Sequence, residues 1–175
     1  MTIEVALIAF SLAAVLGLGF AMASLSRFII ARQLARFYIE VVRGVPILVL
    51  LFYIAFVGAP ALVIAINFVA EPLGFEPMLT RDLSLKWRAI IALMIGYSAF
   101  LAEVFRAGLQ SVERGQIEAA AALGLTGWQR FRHVIAPQAF RTILPPLGND
   151  FVAMIKDSAL VSVLGGKTQF FERQQ

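Results

Sequence analysis

Residues 118–137 read EAAAALGLTGWQRFRHVIAP, and the fold of the whole chain turns on them. Glu118, Ala119, Ala120 and the next three residues are strong helix formers. Gly124 suits the left-handed position that closes a helix. Thr126 with Gln129 three residues on fits a capping box for a second helix. Trp128, Phe131, Arg132 and Ile135 then recur at three- and four-residue spacing, so they are expected to share one face. Pro137 is expected to stop that second helix. The stretch is therefore a compact two-helix loop, and it lies between apolar segments long enough to cross a bilayer.

Composition supports membrane embedding. The chain has 175 residues and a mean hydropathy of +0.84. A soluble domain of this size cannot hide that much apolar surface. The absence of cysteine excludes disulfides and thiol chemistry, and the single His133 excludes a histidine-based metal cluster. No Walker A glycine loop and no paired nucleophile and base are visible, so an intramembrane enzyme finds no support and no cofactor is expected. The start does not read as a cleaved signal peptide, since Glu4 stands where a basic residue would precede the apolar run.

About 20 apolar residues span the hydrocarbon core as a helix. Four segments meet or approach this: 3–25, 45–69 (interrupted by Gly58 and Pro60), 87–105 and 142–164. The last carries Asn149, Asp150, Lys156 and Asp157. An all-α polytopic bundle is expected, because backbone groups in lipid must be satisfied within the segment. Arg27, Arg32, Arg36 and Arg43 come after the first span, and Arg106, Arg114, Arg130, Arg132 and Arg141 after the third. The segment after the second span mixes Arg81, Lys86 and Arg88 with Glu71, Glu76 and Asp82. The positive-inside rule thus puts the first and third loops in the cytoplasm and the N-terminus outside. Membrane topology accounts for the net charge of +4 without nucleic acid.

Three further motifs carry chemistry. Glu40 and Arg43 are spaced to pair, and Gly44 leads to Pro46, which suits a helix first turn; a capped helix start with a snorkelling arginine is the simpler reading. Glu103 and Arg106 are one turn apart and can form an ion pair. In the fourth span Asp150 and Asp157 are seven residues apart, on nearly one face, with Asn149 and Lys156 as a neighbouring stripe and Ser158 beside them. Charges at membrane depth cost about 2.5–3.5 kcal/mol each, so they mark a pathway, a partner subunit or a buried pair such as Lys156 with Asp157.

These motifs together resemble one family. The string of residues 118–137 keeps the spacing of the EAA loop of ABC-transporter permeases, with Val134 and Ala136 at two of its apolar positions. The ExxRGxPxLVxLF string at 40–52, the EVFRAGLQSV string at 103–112 and LPPLGNDFVAMIKDSALVSVLG at 144–165 resemble the polar amino-acid uptake subgroup. The resemblance implies a type I ABC-importer permease fold. It implies that Glu118, Ala119, Ala120, Gly124, Trp128, Phe131 and Pro137 couple to an ATPase. It implies as partners ABC ATPase subunits, a second permease subunit, equal or different, and a solute-binding protein. The expected place is the bacterial cytoplasmic membrane, and ATP hydrolysis is expected on another chain. Without the resemblance, the loop also fits an amphipathic helix resting on lipid headgroups. The family has a fifth span, so the chain is expected to be a single permease domain over 1–175, incomplete at its C-terminal end, with the loop at 110–137. The remaining alternatives are a non-functional fragment and an ion channel or secondary carrier.

Overall fold

The computed structural model describes residues 2–172 apart from 75, 78 and 80–82; at 59, 73, 85 and 160–172 it describes the backbone alone. Among the described residues every regular element is helical. Helix α1 spans Thr2–Ser24, α2 Ile29–Gly44, α3 Ile47–Tyr53 and α4 Ala59–Ala70. Helix α5 spans Leu85–Gln110, α6 Arg114–Ala122, α7 Gly127–Arg130 and α8 Ala136–Glu172. By length and composition Thr2–Ser24, Ile47–Ala70 and Lys86–Gln110 are apolar enough to cross a membrane. The expected fourth span is helical but is not in that set, as its charges predict, and its helix is longer at both ends than the expected 142–164. Arg81 and Asp82 of the expected outer loop lie outside the described residues.

The core is built by small residues that let helices touch. In α1, Ala6, Ala9, Ala13, Gly17 and Ala21 recur every three or four residues, and the four alanines are fully buried. They face α5, where Ala92, Ser98, Ala99 and Ala102 are likewise buried. A Cβ on Gly17 would stand 2.9 Å from the Ser98 carbonyl oxygen. Lipid gives helices no hydrophobic drive to associate, so such close backbone approach supplies the attraction. Leu51, Ile90, Leu93, Leu101 and Met154 fill the space between α3, α5 and α8. Phe10 meets Phe151 edge-on at 5.0 Å and ties α1 to α8.

Two segments depart from α geometry in the same way. Residues Ile54–Gly58 and Phe131–Ile135 are single π turns. Each ends two residues before a proline, Pro60 and Pro137. A proline ring collides with the carbonyl four residues back in an α-helix. Widening the preceding turn moves that carbonyl aside. The expected stop at Pro137 is thus wrong: the chain runs helically from Gly127 through the π turn into α8. For the same reason Gly58 and Pro60 do not break the second span. Pro145 and Pro146, near the start of the expected fourth span, lie inside α8.

Candidate functional site: a docking loop and a polar wall

The two ends of the bundle differ. Lys86 Nζ binds Glu4 Oε1 at 2.6 Å, joining the starts of α1 and α5. Ser24, Glu103 and Arg106, at the other ends of the same helices, line one cleft with α2. Helices α1 and α5 therefore run parallel, and the arginine-rich segments 26–45 and 111–135 gather at one end. That is the arrangement the arginine bias predicts.

The loop at that end is locally determined. Helix α6 closes on Gly124 with φ of 79°. The Gly124 N–H donates to the Ala121 carbonyl and the Leu125 N–H to the Ala120 carbonyl, at 3.0 and 3.2 Å. This pair of bonds is the Schellman closure, and a side chain at 124 would strain it. Helix α7 opens with the expected capping box. Thr126 Oγ1 accepts from the Gln129 N–H while Gln129 Oε1 accepts from the Thr126 N–H. Gln138 Nε2 donates to Gln116 Oε1 at 2.5 Å and ties α6 to the start of α8.

Glu118 and Ala119 are exposed, whereas Ala120 of the same helix, α6, is buried. Trp128 is 68% exposed, and its ring stacks on Phe131 at 5.8 Å. Leu123, which no sequence motif singled out, is 82% exposed beside Gly124. Ile135 does not share the exposed face with Phe131, since it is half-buried. The π turn inserts an extra residue and rotates the helix beyond it. Two exposed aromatics and a leucine on a short, doubly capped loop suit contact with an apolar groove.

The polar wall is assembled by α5 and α8. Leu147, Phe151 and Met154 pack toward the bundle, and Asp150 and Asp157 fall on the same side, both half-buried. Tyr97 on α5 donates its hydroxyl proton to Asp157 Oδ2 at 2.7 Å. The structure thus gives Asp157 a tyrosine partner; among the described residues no ion pair joins it to Lys156. Asn149 and Lys156 form the neighbouring stripe, and both are exposed. Ser158 is buried and donates to the Ile155 carbonyl of its own helix at 2.8 Å.

Arg106 binds both Glu103 oxygens through one guanidinium edge, Nε donating to Oε2 at 2.9 Å and Nη2 to Oε1, while its Nη1 donates to Gln110. This is the pair expected from the spacing. Glu40 and Arg43 are not joined by an ion pair among the described residues. Arg43 instead stands over the Phe100 ring, 5.6 Å from its centroid. Pro46 immediately precedes α3, as its N-cap, rather than lying in its first turn. Gly44 ends α2, a helix that occupies most of the expected first loop. Its signal was readable: Ala35, Ile39 and Val42 are spaced by three and four, and all three are buried.

Comparison with known proteins fits this geometry. Residues 15–174 match the family described as binding-protein-dependent transport system inner membrane component. The chain belongs to that family. Among family relatives, the chain is similar to a probable amino-acid permease, YxeN, of Bacillus subtilis, at 36% identity over 97% of this chain and 69% of the relative. It is similar to the glutamine transport system permease GlnP of Escherichia coli K12, at 37% over 78% of this chain and 55% of that protein. It is similar to the histidine/lysine/arginine/ornithine permease HisQ of Salmonella typhimurium, at 38% over 94% and 69%. A crystal structure of an amino acid ABC transporter with histidines superposes with a TM-score of 0.71 at 38% identity, covering 94% of this chain and 69% of that one. The chain thus spans from 55% to 69% of these family members. Family membership and the apolar helices make it a multi-pass membrane protein.

Proposed function

We propose that this chain is the membrane-spanning permease subunit of an ATP-driven ABC importer that moves polar amino acids. The observation that carries the reading is the doubly capped loop with exposed Leu123, Trp128 and Phe131, at the arginine-rich end of a bundle of this family. In this reading the loop faces the cytoplasm of a bacterial cell and seats on an ABC ATPase, which hydrolyses ATP on its own chain. A second permease subunit completes the pathway, and a solute-binding protein delivers the amino acid to the opposite face. The amino-acid class is supported by the relatives named above. Asp150 and Asp157, held on the inner side of α8, would line the route, with Asn149, Lys156 and Ser158 flanking it. Binding of ATP would shift the bundle between two states that open to opposite sides.

The test uses Gly124→Val. A branched side chain at φ of 79° is strained, and loss of the closure disorients α7. The tagged chain is expressed with its cognate ATPase and binding protein. Membrane insertion should persist while ATPase co-purification and ATP-dependent amino-acid uptake fall at least about tenfold, a loss of roughly 1.4 kcal/mol in docking. Unchanged co-purification and uptake would remove the loop from the mechanism.

A further inference from the structure

Helix α2 has three faces, and only one is explained by the bundle. With 100° per residue, Ala35, Ile39 and Val42 fall on one sector and are buried against α1 and α5. Ile30, Leu34, Phe37 and Val41, spaced 4, 3 and 4, make a second sector that is exposed throughout. Arg32, Arg36, Glu40 and Arg43 make the third. Arg36, Glu40 and Arg43 line a cleft of about 370 Å³ together with Ser24, Glu103 and Arg106.

Among the residues that line that cleft the charges do not cancel. Three guanidiniums face two carboxylates in the lining; Arg106 already holds Glu103 through Nε and Nη2, and Arg43 lies within electrostatic reach of Glu103 and of Asp150 on α8. Among the described residues no ion pair joins Arg36 or Arg43 to Glu40. Arg43 has Phe100 beneath it, which fixes the guanidinium plane but uses none of its five N–H donors. A guanidinium fork of this kind matches the paired oxygens of a phosphate or carboxylate. Beyond Glu40 and Gln33 on the same helix, the sector opens onto the apolar stripe headed by Phe37 and Val41. An oxyanion with an apolar tail fits both surfaces; a free solute fits only the first.

We propose that Arg36 and Arg43 bind the phosphate of an anionic phospholipid from the leaflet at the docking-loop end, with its acyl chains along the near edge of the apolar stripe, at Phe37 and Val41. Such a lipid would cover the exposed stripe and neutralise the cleft together. It would sit between α2 and α5, the helix that also builds the polar wall with α8, without being the transported solute.

The full chain, purified into nanodiscs of phosphatidylcholine, is titrated with phosphatidylglycerol, and bound lipid is counted by native mass spectrometry after release. Phosphatidylglycerol should be retained in preference to phosphatidylcholine. Each of R36Q and R43Q should weaken that preference about fivefold, and both together about 25-fold. R27Q, an exposed arginine outside the cleft, should change nothing. R36K and R43K keep charge and fold but lose the fork, and should fall between parent and glutamine variants. Phe37→Ala should weaken phosphatidylglycerol without altering competition by soluble glycerol 3-phosphate. Equal losses from R27Q would reduce the effect to diffuse surface charge and overturn the site. Displacement of the lipid by free glutamine at equal concentration would make it a solute site instead. No preference between the two lipids would end the proposal.

Discussion

Tyr97 and Asp157 show how a single hydrogen bond can hold a charge inside a membrane bundle. The two residues are 60 positions apart, and their 2.7 Å contact joins α5 to α8. Removing the donor leaves a half-buried carboxylate without it, at a cost of about 1–3 kcal/mol. Tyr97→Phe should therefore lower the melting temperature in detergent, and Asp157→Asn in the same background should recover part of the loss. A double variant no more stable than the single one would mean the bond carries none of the packing. The partner was not legible in the sequence, because spacing reports only neighbours on one helix. Asp157 was legible as a group too costly to face lipid. Lys156, its chain neighbour, is the natural local candidate, but adjacent residues on a helix point about 100° apart. Gly124, Thr126 and Gln129 were legible in detail, since caps are made from residues within one turn.

At the scale of elements, the two π turns decide what a proline means. The rule that proline ends an α-helix holds for α geometry, and Pro137 escapes it because Phe131–Ile135 is wound more loosely. A sequence shows the proline but not the turn in front of it, so the continuous path from α7 into α8 was hidden. Pro137→Ala restores an N–H and removes the ring. The preceding turn should then relax to α winding, and every residue from Trp128 to Arg130 should rotate about 100° relative to α8. Spin labels at 128 and 143 should report a changed separation, with co-purification of the ATPase reduced and thermal stability kept or raised. Identical label distances in parent and variant would show that the π turn is set by something other than the proline. Helix α2 was readable yet overlooked for a different reason. Its arginines mark topology so strongly that they mask the three-four spacing of Ala35, Ile39 and Val42.

For the whole molecule, the arrangement of ends is the property most fully written in the sequence. The arginine bias places the segments after the first and third spans together, and the parallel packing of α1 and α5 does the same. The chain has no cysteine, so single thiols can be introduced cleanly at 76 and 128, both exposed positions. An impermeant thiol reagent on intact cells should label position 76 alone, with 128 reacting only after lysis. Labelling of 128 from outside would reverse the orientation. The packing that holds this arrangement was less visible. Apolar spans announce themselves by composition, whereas the choice of which faces meet depends on small residues such as Gly17 and Ala13, whose importance appears only when a neighbour approaches.

Gly108 lets Ile143 press so closely on α5 that any Cβ there would collide with it. We expect that contact to act as a fulcrum when α8 tilts against α5. Trp128 lies 15 residues before Ile143 and Asp157 lies 14 after it, so the arms on either side are each about 20 Å long. A beam balanced near its centre returns at one end nearly the same travel it receives at the other, reversed in direction. Enlarging the pivot should loosen it: Gly108→Ala is expected to cost about 1–3 kcal/mol of stability through overpacking. It should also weaken the correlation between label movements at 128 and 157 in distance measurements made with and without ATP. Undiminished correlation would place the pivot elsewhere. With the pivot intact, a swing of the loop by a few ångströms toward an ATPase would carry Asp157 a similar distance the opposite way, turning a push at the membrane surface into a sideways step of a carboxylate deep within it.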